Sequence, residues 1–172
     1  MLALIGSLLE NYTATDYSNG ETPKIGATYH DLSNGRKYRF IYNNGASSIA
    51  AQEIAMALTT DKRNWYCSLS ATTDALRPFA GVRPTGADTL LTLEYGWIQV
   101  GGPAIFTHSG GQATAAEEGI VSSATTAGRV EGEATGPFTI ASHPGVFAVA
   151  EAAVTAAAAD VKGNIERCMF GF

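Results

Sequence analysis

Apolar and polar residues alternate along two stretches of this chain, and each stretch reads as a strand. In residues 36–43, Tyr38, Phe40 and Tyr42 take one face, while Arg39 and Ile41 take the other. An Asn34-Gly35 pair just before this run suits a tight hairpin turn, and Asn43-Asn44-Gly45 closes it. The second stretch is Tyr95-Gly96-Trp97-Ile98-Gln99-Val100-Gly101-Gly102-Pro103. It predicts a strand over 96–100, with Trp97 and Gln99 facing one way and Ile98 and Val100 the other. The glycine pair and Pro103 are expected to stop it, because proline cannot donate to a ladder. Residues 104–108 then form the following strand, ended by Gly110-Gly111.

The rest of the chain reads as short pieces. Residues 65–70 and 78–83 resemble strands, the second bent at Gly81. Residues 90–93 are extended, and 128–131 and 145–151 are further strands. Residues 165–170 are expected to be the last strand. Residues 46–64 allow a short helix or an irregular excursion. Residues 112–127 read mainly as loop, and the Ala-rich 152–160 as a connection too short to be a secure helix. No repeat of fixed period is visible. Nineteen glycines in 172 residues exceed the usual ~7% and favour many turns. The expectation is an all-β protein: a compact β-barrel or β-sandwich of short strands with an extended N-terminal arm.

That arm is apolar from Met1 to Leu9. Leu4, Leu8 and Tyr12 recur at helical spacing, as do Ile5 and Leu9. The run is far too short to span a bilayer, so no membrane role is expected. Residues 10–24 are polar, end near Pro23 and read as an extended linker. The division is then an N-terminal arm and linker over 1–22 and a single β-rich domain over 23–172. Leu2, Leu4, Ile5, Leu8, Leu9, Tyr12 and Tyr17 are the residues expected at an interface with a neighbouring subunit or a larger partner; the alternative dock for this arm is the chain's own core.

Charge narrows the function. Charged residues make up 16% of the chain, and the formal net charge is −5. Without a basic cluster, nothing gathers cations for a phosphate backbone, which speaks against nucleic-acid binding. Cys67 and Cys168 lie in apolar or aromatic surroundings and read as buried thiols, with a disulfide left open. His30, His108 and His143 have no metal-ligand spacing. Thr107-His108-Ser109 places hydroxyls beside an imidazole, but adjacent strand residues point apart, and no G-x-S-x-G elbow is present. The carboxylates are scattered, and no phosphate-cradling or calcium loop appears. No catalytic residue, metal or cofactor is therefore expected. The aromatics Tyr38, Phe40, Tyr42 and Trp97 are core, interface anchors, or a platform for a sugar ring.

The order of these motifs resembles the small β-rich decoration, or head-stabilising, proteins of tailed bacteriophages. The matching pieces are Pro23-Lys24-Ile25-Gly26, Asn34-Gly35-Arg36-Lys37-Tyr38-Arg39-Phe40, Ala80-Gly81-Val82 and Tyr95-Gly96-Trp97-Ile98-Gln99-Val100-Gly101-Gly102-Pro103-Ala104. Thr126-Ala127-Gly128-Arg129-Val130 and Pro144-Gly145-Val146-Phe147-Ala148-Val149-Ala150 follow. Together they span most of positions 23–170. The resemblance implies a non-enzymatic cement protein on the outer capsid surface, a homotrimer that binds the major capsid protein and stabilises contacts between its subunits. Segment 46–76 departs from the pattern by its length. The rival readings are a carbohydrate-binding β module of a fibre or cell-surface protein, and an enzyme whose site is assembled from distant loops.

Overall fold

The computed structural model describes residues 8–58, 65–72, 78–110, 113–133, 146–155 and 160–165. The described chain is nearly all β. It opens with β1 (Asn11–Tyr12) and a five-residue helix, α1 (Ala14–Ser18). Thr13 caps α1 in a reciprocal box with Asp16. Residues 10–24 are thus not the extended linker that their composition predicts. A Thr-x-x-Asp box satisfies the exposed backbone N–H groups well enough to fold one turn, and aromatic contacts hold that turn in place.

The hairpin at Asn34-Gly35 joins β2 (Thr28–Asp31) to β3 (Arg36–Asn43), with Thr28 opposite Arg39 and Asp31 opposite Arg36. Then come β4 (Ile54–Ala57), β5 (Tyr66–Leu69), β6 (Phe79–Val82) and β7 (Tyr95–Thr107). In space the order is β3-β5-β4-β6-β7, and β7 pairs back onto β3. Five strands therefore close into a barrel. So narrow a barrel needs small side chains inside, and Ala55, Ala57, Cys67 and Ala80 pack there with Ile41, Ile98 and Val100. Cys67 is a buried thiol outside any disulfide; Cys168 lies outside the described residues.

The long strand β7 corrects the expectation of a stop at 101–103. It runs unbroken through Gly101, Gly102 and Pro103 and takes in the strand predicted separately at 104–108. What changes there is the partner. Tyr38 faces Gln99 and Lys37 faces Gly101, so Val100 bulges, and Gly102 and Pro103 then pair with Ile165 and Asn164. Proline is tolerated at such an irregularity. Gly102 has φ +79°, and a Cβ there would lie 2.4 Å from the Gly35 carbonyl oxygen. Gln99 braces the bend: its Nε2 donates to the carbonyls of Gly101 (3.2 Å), Gly102 (3.4 Å) and Pro103 (2.7 Å).

Beyond the bend β7 joins a second sheet built from β8 (Gly119–Ser122), β9 (Val130–Gly132), β10 (Ala148–Ala150) and β11 (Asp160–Ile165), in the order β7-β11-β10-β8-β9. β8 lies inside the expected 112–127 loop. Its neighbours are Ala, Thr and Glu, so only Ile120 and Val121 carry a strand signal. The last described strand ends at Ile165, where the final strand was expected to begin; residues 166–170 lie outside the described set. Segment 46–64 contributes β4 rather than a helix, with 59–64 undescribed. β4 alternates between two cores: Ala55 and Ala57 point into the barrel, while Ile54 and Met56 point out against the second sheet. Phe79 also points out and stacks on Phe147 at 4.0 Å.

One local device recurs. At Lys24–Ala27, Ala50–Glu53, Leu91–Glu94 and Ala115–Glu118 the fourth N–H donates to the first carbonyl. The third residue has positive φ: Gly26 +82°, Gln52 +66°, Leu93 +65° and Glu117 +62°. That third N–H donates to an opposing residue (Phe40, Arg83, Asn43 or Ala150), whose own N–H returns a bond to the fourth carbonyl. Each is a type II turn continued as a bulge that launches a strand. Where glycine is missing from the third position, the fourth residue is Glu. Its carboxylate accepts the N–H of the first residue: Glu53 from Ala50 (2.8 Å), Glu94 from Leu91 (2.9 Å), and Glu118 from Ala115. The extra bond offsets the left-handed backbone that a side chain disfavours.

Candidate interaction surface

The register of the strands collects the aromatics on the outer face of the barrel. Tyr12 pairs with Tyr95, Tyr95 with Tyr42, and Tyr42 with Tyr66, so four tyrosines form one row across β1, β7, β3 and β5. Ring centroids are 4.6 Å apart for Tyr42–Tyr95 and 5.0 Å for Tyr42–Tyr66. Tyr17 from α1 stacks on Tyr95 at 4.3 Å with planes 2° apart. All five rings are half-buried. Burial, aided by the phenols of Tyr42, Tyr66 and Tyr17, pushes the Tyr95 hydroxyl above its ordinary range, so it stays protonated. Large, stiff rings with a polar tip suit an interface that is apolar at one end and wet at the other.

Behind this row the face is closed. Phe40 pairs with Trp97, and both are buried with Tyr38 and Leu8. Tyr12 meets Phe40 edge-on at 5.8 Å. The alternation in β7 explains the split: Trp97 lies on this outer face, whereas Ile98 and Val100 fill the barrel. Trp97 Nε1 is buried and has no hydrogen-bond acceptor among the described residues.

Of the residues expected to meet another subunit, Leu8, Tyr12 and Tyr17 therefore pack on their own barrel, and Leu9 is half-buried beside them. Leu2, Leu4 and Ile5 lie outside the described residues. A buried arginine bolts the segment down. Arg83, 0% exposed, donates through Nε to Asp88 O (3.0 Å), through Nη1 to Trp97 O (2.7 Å), and through Nη2 to Leu9 O (3.2 Å) and Asn11 Oδ1 (2.6 Å). Burial pulls its pKa down to about 10, against the attraction of Asp88 and Glu94. Nothing in the sequence around Arg83 signals this role, because two of its four acceptors, Leu9 O and Asn11 Oδ1, lie more than seventy positions away.

The turn Leu91–Glu94 sits at the end of the same ladder. Asn43, next to Tyr42, receives the Leu93 N–H and donates its own N–H to Glu94 O. Its buried side chain donates to the carbonyls of Ser47, Leu90 and Leu91, and its Oδ1 accepts the Gly45 N–H. On this rigid base Leu91 and Leu93 are 52% and 54% exposed. Sequence reasoning took 90–93 for a plain extended run and missed them.

Among the histidines, His108 takes a structural role. His108 is buried; Gly110 N–H donates to its Nδ1 (3.0 Å), so Nε2 carries the proton and donates to Thr114 Oγ1 (3.1 Å). Burial lowers its pKa, with Glu131 pulling the other way. His30 is exposed on β2, and His143 lies outside the described residues. Among the described residues no three His, Cys, Asp or Glu side chains are grouped to hold a metal, and no helix is long and apolar enough to cross a membrane.

No family model matches the chain, and no curated protein matches it. Among solved structures, the N base of the head fiber gp8.5 of bacteriophage phi29 is similar at TM-score 0.47 and 10% identity, over 76% of this chain and 96% of that one. A likeness of that degree carries no argument about what this chain does.

Proposed function

We propose that this chain is a structural protein of a bacteriophage head, a decoration protein that binds the outer surface of the shell and ties major capsid subunits together. The observation that carries the reading is Leu93. Equivalent turn positions hold glycine, glutamine or glutamate. Leu93 is apolar, half exposed and left-handed at φ +65°. It bears both the cost of that backbone and the cost of wetting a leucine. Strain held in place by surrounding bonds marks a working position. Leu91 stands beside it, and the tyrosine row continues from the same end of the ladder. Together they form a stiff apolar patch that needs little ordering when it docks.

The order of sequence motifs supports the same reading, as does the low charge. Repeated contacts over a shell multiply a modest affinity through effective concentration. Association of copies into a trimer extends the proposal. The test is co-sedimentation of the purified protein with mature shells of its parent phage that lack it. Wild type should saturate the shells. The double variant Leu91→Ser/Leu93→Ser should fold normally and lose about tenfold or more in affinity. Failure of the folded wild type to bind such shells would remove the proposal.

A further inference from the structure

A cavity of about 330 Å³ opens where the segment at Leu8–Leu9, the β2–β3 turn and the Pro84–Thr85 turn meet over β7. We infer that it is a binding site for a neutral saccharide unit. Its volume falls within the range of small-ligand sites. Its lining is aliphatic at Leu8, Leu9, Val82, Pro84 and Ile105. It is polar or charged at Asp31, Arg36, Tyr38, Arg83 and Gln99.

Gln99 shows what the ligand must offer. The side chain is only 4% exposed, and its amide N–H groups are committed to the three carbonyls of the β7 bend. Its Oε1 receives no donor among the described residues. A nearly buried carbonyl oxygen in that state calls for an outside donor. Asp31 accepts from the Ser33 N–H and hydroxyl and keeps acceptor capacity at the rim. Arg36 spends Nε on Pro103 O and bonds the Tyr38 hydroxyl. Its guanidinium carries five donors, so others remain for a ligand oxygen.

The ligand must therefore donate to Gln99 and Asp31 and accept from Arg36. It must also lay C–H surface on the aliphatic lining. Asp31 and Arg36 offset one another, and Arg83, which also lines the cavity, has all three guanidinium nitrogens spent on Leu9, Asn11, Asp88 and Trp97, so no uncompensated free charge is left to recruit an anion or a cation. Vicinal hydroxyls on a saturated ring meet all of these demands, and an acetamido group adds an N–H donor and a methyl. The site is separate from the Leu91–Leu93 patch, so it survives or fails independently of shell binding.

Saturation-transfer NMR on the full chain tests it, with glucose, galactose and N-acetylglucosamine as neutral probes and glucose-6-phosphate and N-acetylneuraminic acid as charged ones. At least one neutral probe should bind saturably by ~10 mM. Thr85→Trp, which fills the rim, and Asp31→Ala, which removes an acceptor, should each weaken it about tenfold at an unchanged melting temperature. Should one variant fail to fold, the other decides. The inference is overturned if no neutral probe binds, if only charged probes bind, or if binding is the same in the folded variants.

Discussion

Replacing Arg83 with methionine keeps most of the buried volume and removes every donor, which isolates the polar part of its role. Four bonds are lost, to Leu9 O, Asn11 Oδ1, Asp88 O and Trp97 O. Hydrogen bonds to a charged group contribute ~1.5–3 kcal/mol each. Against that sum stands the cost of keeping the guanidinium dry, several kcal/mol, which its depressed pKa of about 10 reflects. The variant leaves neutral acceptors rather than a bare charge, at ~1–3 kcal/mol for each that finds no other donor, and set against the recovered desolvation the expected net loss is ~3–5 kcal/mol. With a urea slope of ~2 kcal/mol/M, the unfolding midpoint falls by about 1.5–2.5 M. Two of the four acceptors belong to Leu9 and Asn11, so damage should concentrate there. Hydrogen exchange should show the amides of residues 9–19 opening ahead of β4 and β7. Asn11→Ala, which removes one acceptor of Arg83 and the donor to Thr89 O, should cost less, ~2 kcal/mol. An Arg83→Met midpoint within experimental error of wild type, or uniform exchange, would refute this reasoning.

Three further outcomes test the scaffold. Gly102→Ala should lose ~2–5 kcal/mol in denaturant titration, ~1–2 from the left-handed backbone and ~1–3 from the clash with the Gly35 carbonyl; a loss under 1 kcal/mol would contradict the bend. Glu94→Ala should cost about 1 kcal/mol by removing the bond to the Leu91 N–H, whereas Leu93→Gly should be neutral or stabilise by up to ~1 kcal/mol, because relief of strain outweighs the entropy of glycine. Below the ordinary histidine pKa of about 6.5 the unfolded chain binds a proton that buried His108 resists. Its contribution is therefore complete above that pH and declines, by up to ~1.4 kcal/mol per pH unit, as pH falls further. His108→Gln should flatten that part of the stability curve, and an unchanged slope would contradict the assignment.

The sequence showed the barrel where one strand separates two environments. Residues 36–43 and 95–100 alternate cleanly because one side meets the aromatic face and the other the barrel interior. It misled where a residue has two uses. Gly101-Gly102-Pro103 suggests a stop, yet the same features let β7 bend and change partners. The N-terminal segment reads as an extended arm with its dock left open, because its anchor, Arg83, is more than seventy positions away. β8 is four residues, Gly119–Ser122, too short for periodicity to register, whereas β10 lies inside the alternating run 145–151 and was legible. The braced turns left a visible trace: Ala50-Ala51-Gln52-Glu53 and Ala115-Ala116-Glu117-Glu118 share an Ala-Ala-x-Glu pattern. No signal in 90–93 announced an exposed leucine pair, since exposure depends on Asn43 tying the turn to the barrel end.

Electron cryomicroscopy of shells decorated with the purified protein would show which face docks. One copy-to-shell contact is expected, in which Leu91, Leu93 and the Tyr42–Tyr66–Tyr95 row face the capsid lattice. Ordered density that turns this end of the barrel to solvent, or shells that stay bare, would contradict it.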